Sequence, residues 1–180
     1  IPHYDINNRL IGIRERTLIK ENESRGKYRP AYLAGKMYNH ALGFNLYNIN
    51  HAAPAIKQYK KAIVFEGEKS CLLYRSYFGE ENDISVAVCG SSFVNYQAQM
   101  LIDLGVEEII VAFDKQFQEK GDQEFKKLTT NLTNMKYKYG NMVKISFMFD
   151  KTDILPYKAS PIDTGLDNFL FLFYNRVTLY

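Results

Sequence analysis

Two acids stand at the ends of apolar runs of strand length, and together they could hold a divalent cation. Glu66 follows Ala62-Ile63-Val64-Phe65 and is itself followed by Gly67; Asp114 follows the run from Glu108 to Phe113. Between them in the chain a third run, Ser85 to Cys89, ends on Gly90-Ser91-Ser92. An apolar run closed by an acid and a glycine, then continued by a segment such as KSCLLYRSYF, reads as a buried strand, a tight turn and a helix. In open α/β sheets, ligands bind just beyond the carboxyl ends of such strands. Mg²⁺ is commonly held by one or two carboxylates completed by waters and phosphate oxygens, so neighbouring strand-end acids suit it. The small residues after the second strand let a backbone approach a ligand closely. Glu66 also has a plainer use, since an acid before a helix can simply satisfy the orphan N–H groups of its first turn. After a fourth run, Val143 to Phe149, come Asp150, Asp153 and Asp163. Asp163 precedes the apolar run Leu166 to Tyr174, where capping that helix is the alternative to a site.

The elements that must position these acids are legible as an alternation. Strands are expected at Ala62–Phe65, Ser85–Cys89, Glu108–Phe113 and Val143–Phe149. Helices are expected at roughly Lys69–Phe78, Asn95–Leu104 and Asp122–Tyr139, the last with Phe125, Leu128, Leu132 and Met135 at helical spacing as core packing. This predicts an α/β unit with a mostly parallel four-stranded sheet, right-handed crossovers and flanking helices. Ahead of it the pattern is α+β. Residues 1–18 read as a hairpin turning at Asn7-Asn8, Lys20–Arg29 as a mobile polar loop, and Ala52–Tyr59 as a short helix leading to Lys60-Lys61. The expected organisation is therefore a basic N-terminal subdomain over residues 1–60, the α/β unit over 61–154 and a helical extension over 155–180.

Charge separates along the same boundary. Of 180 residues, 23 are Lys or Arg and 20 are Asp or Glu. Residues 1–61 hold eleven of the basic residues and four of the acids, so the first third carries +7 and the rest −4. A polyanion-binding surface beside a cation site has this appearance, although a solvated face does too. Tyr32, Tyr38, Phe44 and Tyr47 alternate with Lys36, Asn39, His40 and Asn45, a mixture that can stack bases and hold phosphates or fill a small core. Cys71 and Cys89 lack CxxC spacing and read as core residues of a reducing compartment. No apolar stretch is long enough for a membrane span. The absence of GxGxxG and GxxxxGKS weighs against an ordinary dinucleotide or P-loop domain. The chain opens on Ile-Pro-His-Tyr without methionine and is expected to be an excised fragment.

EGEKS, AVCGSS and IIVAFDKQ, each after a strand and in that order, resemble the TOPRIM fold shared by bacterial-type primases, type IA and type II topoisomerases and several nucleases. IPHYDINNRLIGIRERTL resembles the hairpin that opens the bacterial primase catalytic core, and KYRPAYLAGKMYNHALGFNLYNI the segment after it. SPIDTG resembles the tail of primases from phages and Gram-positive hosts. The resemblance implies a phage-type DNA primase core, a nucleotidyltransferase making RNA primers on single-stranded DNA with Mg²⁺ or Mn²⁺, in the cytoplasm. It implies Glu66 and Asp114 as catalytic and metal-binding residues, with Asp163, or less favourably Asp153 or Gln116, completing the metal site. Arg14, Arg16, Lys36, Lys69 and Lys115 are the implied contacts to template or nucleoside triphosphate. Members of the family also carry a zinc-binding module before the core and a helicase or helicase-interacting region after it. Two positions depart from the family pattern. Gln116 stands where the second acid of a DxD motif is expected, and Leu42 where a lysine precedes an LYGL-like turn, with Lys36 only a neighbour. The alternatives are a TOPRIM nuclease and a nucleic-acid-binding replication module whose metal site has decayed.

Overall fold

The computed structural model describes residues 1–90 and 92–178; Ser91, one of the small residues after the second strand of the α/β alternation, lies outside the described residues. Strand β1 (Pro2–Tyr4) pairs antiparallel with β2 (Leu10–Arg16), and β3 (Tyr28–Pro30) adds to the far side of β2, setting Arg14 opposite Pro30 and Arg16 opposite Tyr28. The β1–β2 turn is closed by the Asp5 carboxylate, which accepts from the backbone N–H groups of Asn7 at 3.0 Å and Arg9 at 2.9 Å. Asn8 takes the left-handed conformation there, at φ 64°, which asparagine tolerates well. The segment expected to be a mobile loop instead forms a short 3₁₀ turn, Lys20–Arg25, and then β3. Three residues are too few to show a period of two, so this strand carried no signal. A second small hairpin joins β4 (Tyr32–Leu33) to β5 (Lys36–Met37).

The rest is one sheet with helices. Helix α1 (Ile49–Tyr59), β6 (Lys61–Phe65), α2 (Glu68–Phe78), β7 (Ser85–Ala87), α3 (Asn95–Asp103), β8 (Glu108–Val111), α4 (Gln123–Tyr139), β9 (Lys144–Phe147), α5 (Leu166–Tyr174) and β10 (Val177–Thr178) follow in chain order. The strands lie in the order β10-β9-β8-β6-β7, parallel throughout except for β10. The four expected strands are thus present, and a fifth, two-residue strand is added at the edge, too short for any pattern to announce. Residues 62–65 of β6 and all of β8 are buried, which explains their unbroken apolar runs. On α4, Leu128, Leu132, Met135 and Tyr139 are buried at helical spacing, and the Asp122 carboxylate caps the helix by accepting from the Phe125 N–H at 2.6 Å. Phe65, Tyr74, Phe78 and Phe169 tie β6 to α2 and α5 through ring contacts of 4.4 to 6.4 Å between centroids. Among the described residues no helix is long and apolar enough to cross a membrane.

This strand order has a consequence for function. From β6 the chain steps outward to β7, then returns to the other side of β6 to form β8. A sheet that reverses direction in this way opens a crevice at the carboxyl ends of the two strands at the reversal. Glu66 and Asp114 leave β6 and β8 at that crevice.

At the opposite end of β8, Glu108 is a stability element. Its carboxylate accepts from Arg176 Nε at 2.9 Å, Arg176 Nη2 at 3.1 Å and Ser146 Oγ at 2.6 Å. Burial pushes this carboxyl up, but the Arg176 and Ser146 hydrogen bonds and the Arg176 and Lys144 charges outweigh it and bring it down to about 2, from 4.5. A carboxyl depressed on folding stabilises the native state above its unfolded pKa and loses that contribution as pH falls through the window from 4.5 to about 2. Glu108→Gln is therefore expected to lower the melting temperature at neutral pH. That deficit should shrink below about pH 4.5 and close near pH 2 in paired thermal melts.

Candidate active site

The Glu66 carboxylate accepts a hydrogen bond from Gln116 Nε2 at 2.8 Å, bringing the exit of β6 against the exit of β8. It does not cap α2, whose N-cap is Gly67 with no side-chain cap bond. Burial, with the Asp114 charge adding to it, pushes the Glu66 carboxyl up to about 7 against hydrogen bonds from the Asp114 backbone and Gln116. Burial and then the Asp163 charge raise Asp114 to about 6, against the opposing charges of Lys69 and Lys27. Two carboxyls so placed favour the neutral form because each would be charged in a poorly solvated place beside another acid.

Asp163 enters from the loop before α5. It pairs with Lys69 Nζ at 2.8 Å and accepts from the Ser160 N–H at 3.3 Å, while α5 begins after Gly165 without a side-chain cap. Glu66, Asp114, Gln116, Asp163 and Lys69 are therefore brought together from β6, α2, the β8 exit and the pre-α5 loop. Lys115 is not. Its ammonium turns away into a buried group, donating to Asp150 at 3.4 Å, to Asp153 and to the Leu155 carbonyl at 2.9 Å. Asp153 is thereby engaged with Lys115 and not with Glu66. Lys36 lies on the exposed β4–β5 hairpin with its ammonium over the Tyr38 ring, 5.3 Å from the centroid.

Arg14 and Arg16 project from the same face of β2, as alternate residues must, and both guanidinium groups lie over Tyr28, at 5.5 and 5.7 Å from its centroid. Arg14 is also committed to a buried cluster beneath the crevice. It donates to Glu68 Oε1 at 2.7 Å and to the Cys89 carbonyl at 3.3 Å, and His3 Nε2 lies 3.2 Å from the same carboxylate oxygen. Burial pushes the Glu68 carboxyl up, but His3 and Arg14 outweigh it and lower it below its ordinary value. His40 packs against His3 with ring centroids 4.7 Å apart, and Gly12 makes room for it, since a Cβ there would stand 2.2 Å from His40 Nδ1.

No family model matches the chain. A curated relative, the SPbeta prophage-derived uncharacterized protein YorJ of Bacillus subtilis strain 168, is 37% identical over 173 residues, which is 92% of this chain and 46% of YorJ. Among solved structures, the Aquifex aeolicus primase with its zinc-binding and RNA polymerase domains superposes with a TM-score of 0.70 at 21% identity, over 99% of this chain and 40% of that one. The catalytic domain of DnaG primase bound to single-stranded DNA superposes with a TM-score of 0.68 at 19% identity, over 99% of this chain and 51% of that one. The fold is that of a primase catalytic core. The chain spans about half the length of YorJ and between two fifths and about half of these two primase structures.

Within this primase-type fold, three participants were not legible in the sequence. Lys27, from the segment read as a mobile loop, carries a charge that Asp114 senses. Glu68 and His3 form the cluster that anchors Arg14 to the start of α2. The second acid of EGEKS was visible, but nothing local distinguishes an acid that will be 1% exposed from one that points to solvent.

Proposed function

We propose that the chain is the catalytic core of a DNA primase with a TOPRIM-type metal site, synthesising short RNA primers on a single-stranded DNA template. The observation that carries this reading is the meeting of Glu66 and Asp114 at the point of strand reversal in a primase-type fold. The residues present fit a hard divalent cation. Glu66 and Asp114 are crowded carboxylates held toward their neutral forms, a conflict that a cation between them relieves, and both offer the oxygen donors a hard cation takes. Glu66 and Asp114 would hold Mg²⁺ or Mn²⁺, with Asp163, now paired with Lys69, as a further carboxylate; Gln116, whose Nε2 donates to Glu66, would offer its carbonyl oxygen only after the amide turns over. Such an ion neutralises the charge that develops on the phosphates and the leaving pyrophosphate.

In the reaction, the 3′-hydroxyl oxygen bonds to the α-phosphorus of a nucleoside triphosphate, the α–β bridging bond breaks, pyrophosphate departs and the hydroxyl proton passes to solvent. Lys69 and Lys27 place positive charge beside Asp114, where they would meet triphosphate oxygens. Arg16, stacked with Tyr28, faces template phosphates from β2, and Arg14 holds β2 to α2 so that Arg16 is presented to the crevice. Residues 1–60 would thus serve mainly the template and 61–154 the chemistry, with 155–180 supplying Asp163. Template binding carried by these cations should weaken with added salt.

The reading is tested with the protein, a single-stranded template, the four ribonucleoside triphosphates and Mg²⁺ or Mn²⁺. Labelled oligoribonucleotides are the expected product. Shortening of a labelled strand when nucleotides are withheld would assign a nuclease instead. Gln116, an amide where an acid is expected, favours a second reading as a non-catalytic DNA-binding module; salt-sensitive DNA binding without either activity would establish it. If Gln116 only weakens metal binding, Gln116→Asp should tighten it by about tenfold in calorimetric Mn²⁺ titrations, the scale on which metal sites respond to one supporting group.

A further inference from the structure

The cluster around Glu68 holds more metal-ligating chemistry than its ion pair uses. His3 Nε2, a Glu68 carboxylate oxygen and Cys89 Sγ all lie within 4.8 Å of one another. They come from β1, the first residue of α2 and the second residue past β7, so folding alone brings them together. His3 and Glu68 are each 1% exposed and Cys89 is 9% exposed. The plain account of the cluster is the Arg14–Glu68 ion pair with His3 hydrogen-bonded beside it. Two observations fall outside that account. His40 packs on the His3 ring, yet its Nε2 is buried and has no hydrogen-bond partner among the described residues, and a buried polar atom without a partner is costly. Cys89 takes the left-handed conformation at φ 55°, with its N–H donating to the Glu66 carbonyl at 2.8 Å. Backbone held in that region on a residue with a side chain is characteristic of ligand-binding sites.

A tetrahedral zinc ion gives both the imidazole and the thiol a partner. At about 2.1 Å from the metal, nitrogen and oxygen ligands stand about 3.4 Å apart, and a thiolate sulfur about 3.6 Å from each. His3 Nε2 and Glu68 Oε1 are 3.2 Å apart. Cys89 Sγ, at 4.8 Å or less, has roughly 1 Å or less to close. Imidazole and thiolate select zinc over Mg²⁺ and Mn²⁺, which take oxygen. Ligating carboxylates are themselves held by hydrogen bonds, as Arg14 holds Glu68 at 2.7 Å. We propose that His3, Glu68 and Cys89, with His40 as the fourth ligand, form a zinc site that fastens β1 and the segment after β5 to the start of α2. As the zinc–sulfur bond forms, the thiol proton leaves to solvent, and thiolate and carboxylate together match the two charges of the ion. Arg14 keeps the Cys89 carbonyl and the Tyr28 ring as partners. The site uses neither Glu66 nor Asp114 and does not depend on the primase reading.

The test loads chelator-treated protein with Co²⁺ and then adds Zn²⁺. The expected result is the near-ultraviolet charge-transfer absorption that a thiolate ligand gives to cobalt, erased as zinc, the tighter binder, takes its place. An ion held by Glu66 and Asp114 has no sulfur ligand and cannot produce that absorption. Cys89→Ser should abolish it and weaken zinc binding by at least about a hundredfold, since loss of a supporting group alone costs ten- to a hundredfold. No absorption in the wild type, or equal zinc affinity in a folded Cys89→Ser protein, would overturn the proposal. Should that variant fail to fold, X-ray absorption at the zinc edge of the wild-type protein decides. One sulfur at about 2.3 Å with imidazole nitrogen supports the site, and a shell of oxygen and nitrogen alone refutes it. His40→Ala tests the fourth ligand and should weaken zinc binding by about tenfold or more; unchanged affinity removes His40 from the site. Glu66→Gln should leave the cobalt spectrum as it is, so the zinc site and the crevice reading fail separately.

Discussion

Replacing Glu66 with Gln is expected to abolish primer synthesis with Mg²⁺ or Mn²⁺ while leaving single-stranded DNA binding nearly intact. The substitution keeps the shape and the capacity to accept a hydrogen bond, but removes the charge a divalent cation needs. Losses on the order of 10²- to 10³-fold follow the removal of one electrostatic stabiliser from a transition state; here the loss should be at least that large, because the carboxylate would also help retain the ion. On the proposed reading, template affinity would reside in the cations of β2 and its surroundings, which the change does not touch. The check is single-turnover synthesis together with anisotropy measurements of DNA binding. Synthesis at the wild-type rate would remove Glu66 from catalysis.

The second large effect concerns stability. Lys115→Met is expected to cost about 3 kcal/mol or more in urea unfolding, the usual penalty for removing one partner of a buried ion pair. Lys115 is 6% exposed and Asp150 is 3% exposed. Asp150 also accepts from the backbone N–H groups of Thr152, Ile154 and Leu155, so its charge organises the turn after β9. Burial pushes the Lys115 ammonium down, but Asp153 and Asp150 outweigh it and raise it above its ordinary value. A variant of unaltered stability that instead loses nucleotide or DNA binding would return Lys115 to the crevice, where its place in the sequence next to Asp114 suggests it belongs.

The contrast between Asp114 and Lys115 shows what the sequence could and could not reveal. Glu66 and Asp114 were legible because each closes an apolar run, and a run of that kind fixes both the strand and the end at which its next residue emerges. For Lys115 the family resemblance implies a contact to template or nucleotide, which would put it in the crevice beside Asp114. Successive side chains on extended backbone point to opposite sides, so the residue after a crevice acid is directed away from it. The partners that receive Lys115, Asp150 and Asp153, lie 35 and 38 residues later and no local pattern links them. Arg14 presents the same problem: its place on the face of β2 follows from the period of two, but its commitment to Glu68 spans 54 residues. The helices were read nearly to their ends because α4 repeats its apolar positions over 17 residues, whereas β3 and β10, of three and two residues, were beyond periodic detection.

The claim at the centre is that Glu66 and Asp114 hold the ion that supports nucleotidyl transfer. The most direct measurement is anomalous scattering from crystals soaked in Mn²⁺, with and without a nucleoside triphosphate. The account predicts a manganese peak within coordination distance of a Glu66 oxygen and an Asp114 oxygen. It also predicts that the peak disappears in Glu66→Gln. A peak elsewhere, as at the buried His3, Glu68 and Cys89 cluster, with none between Glu66 and Asp114 would contradict it.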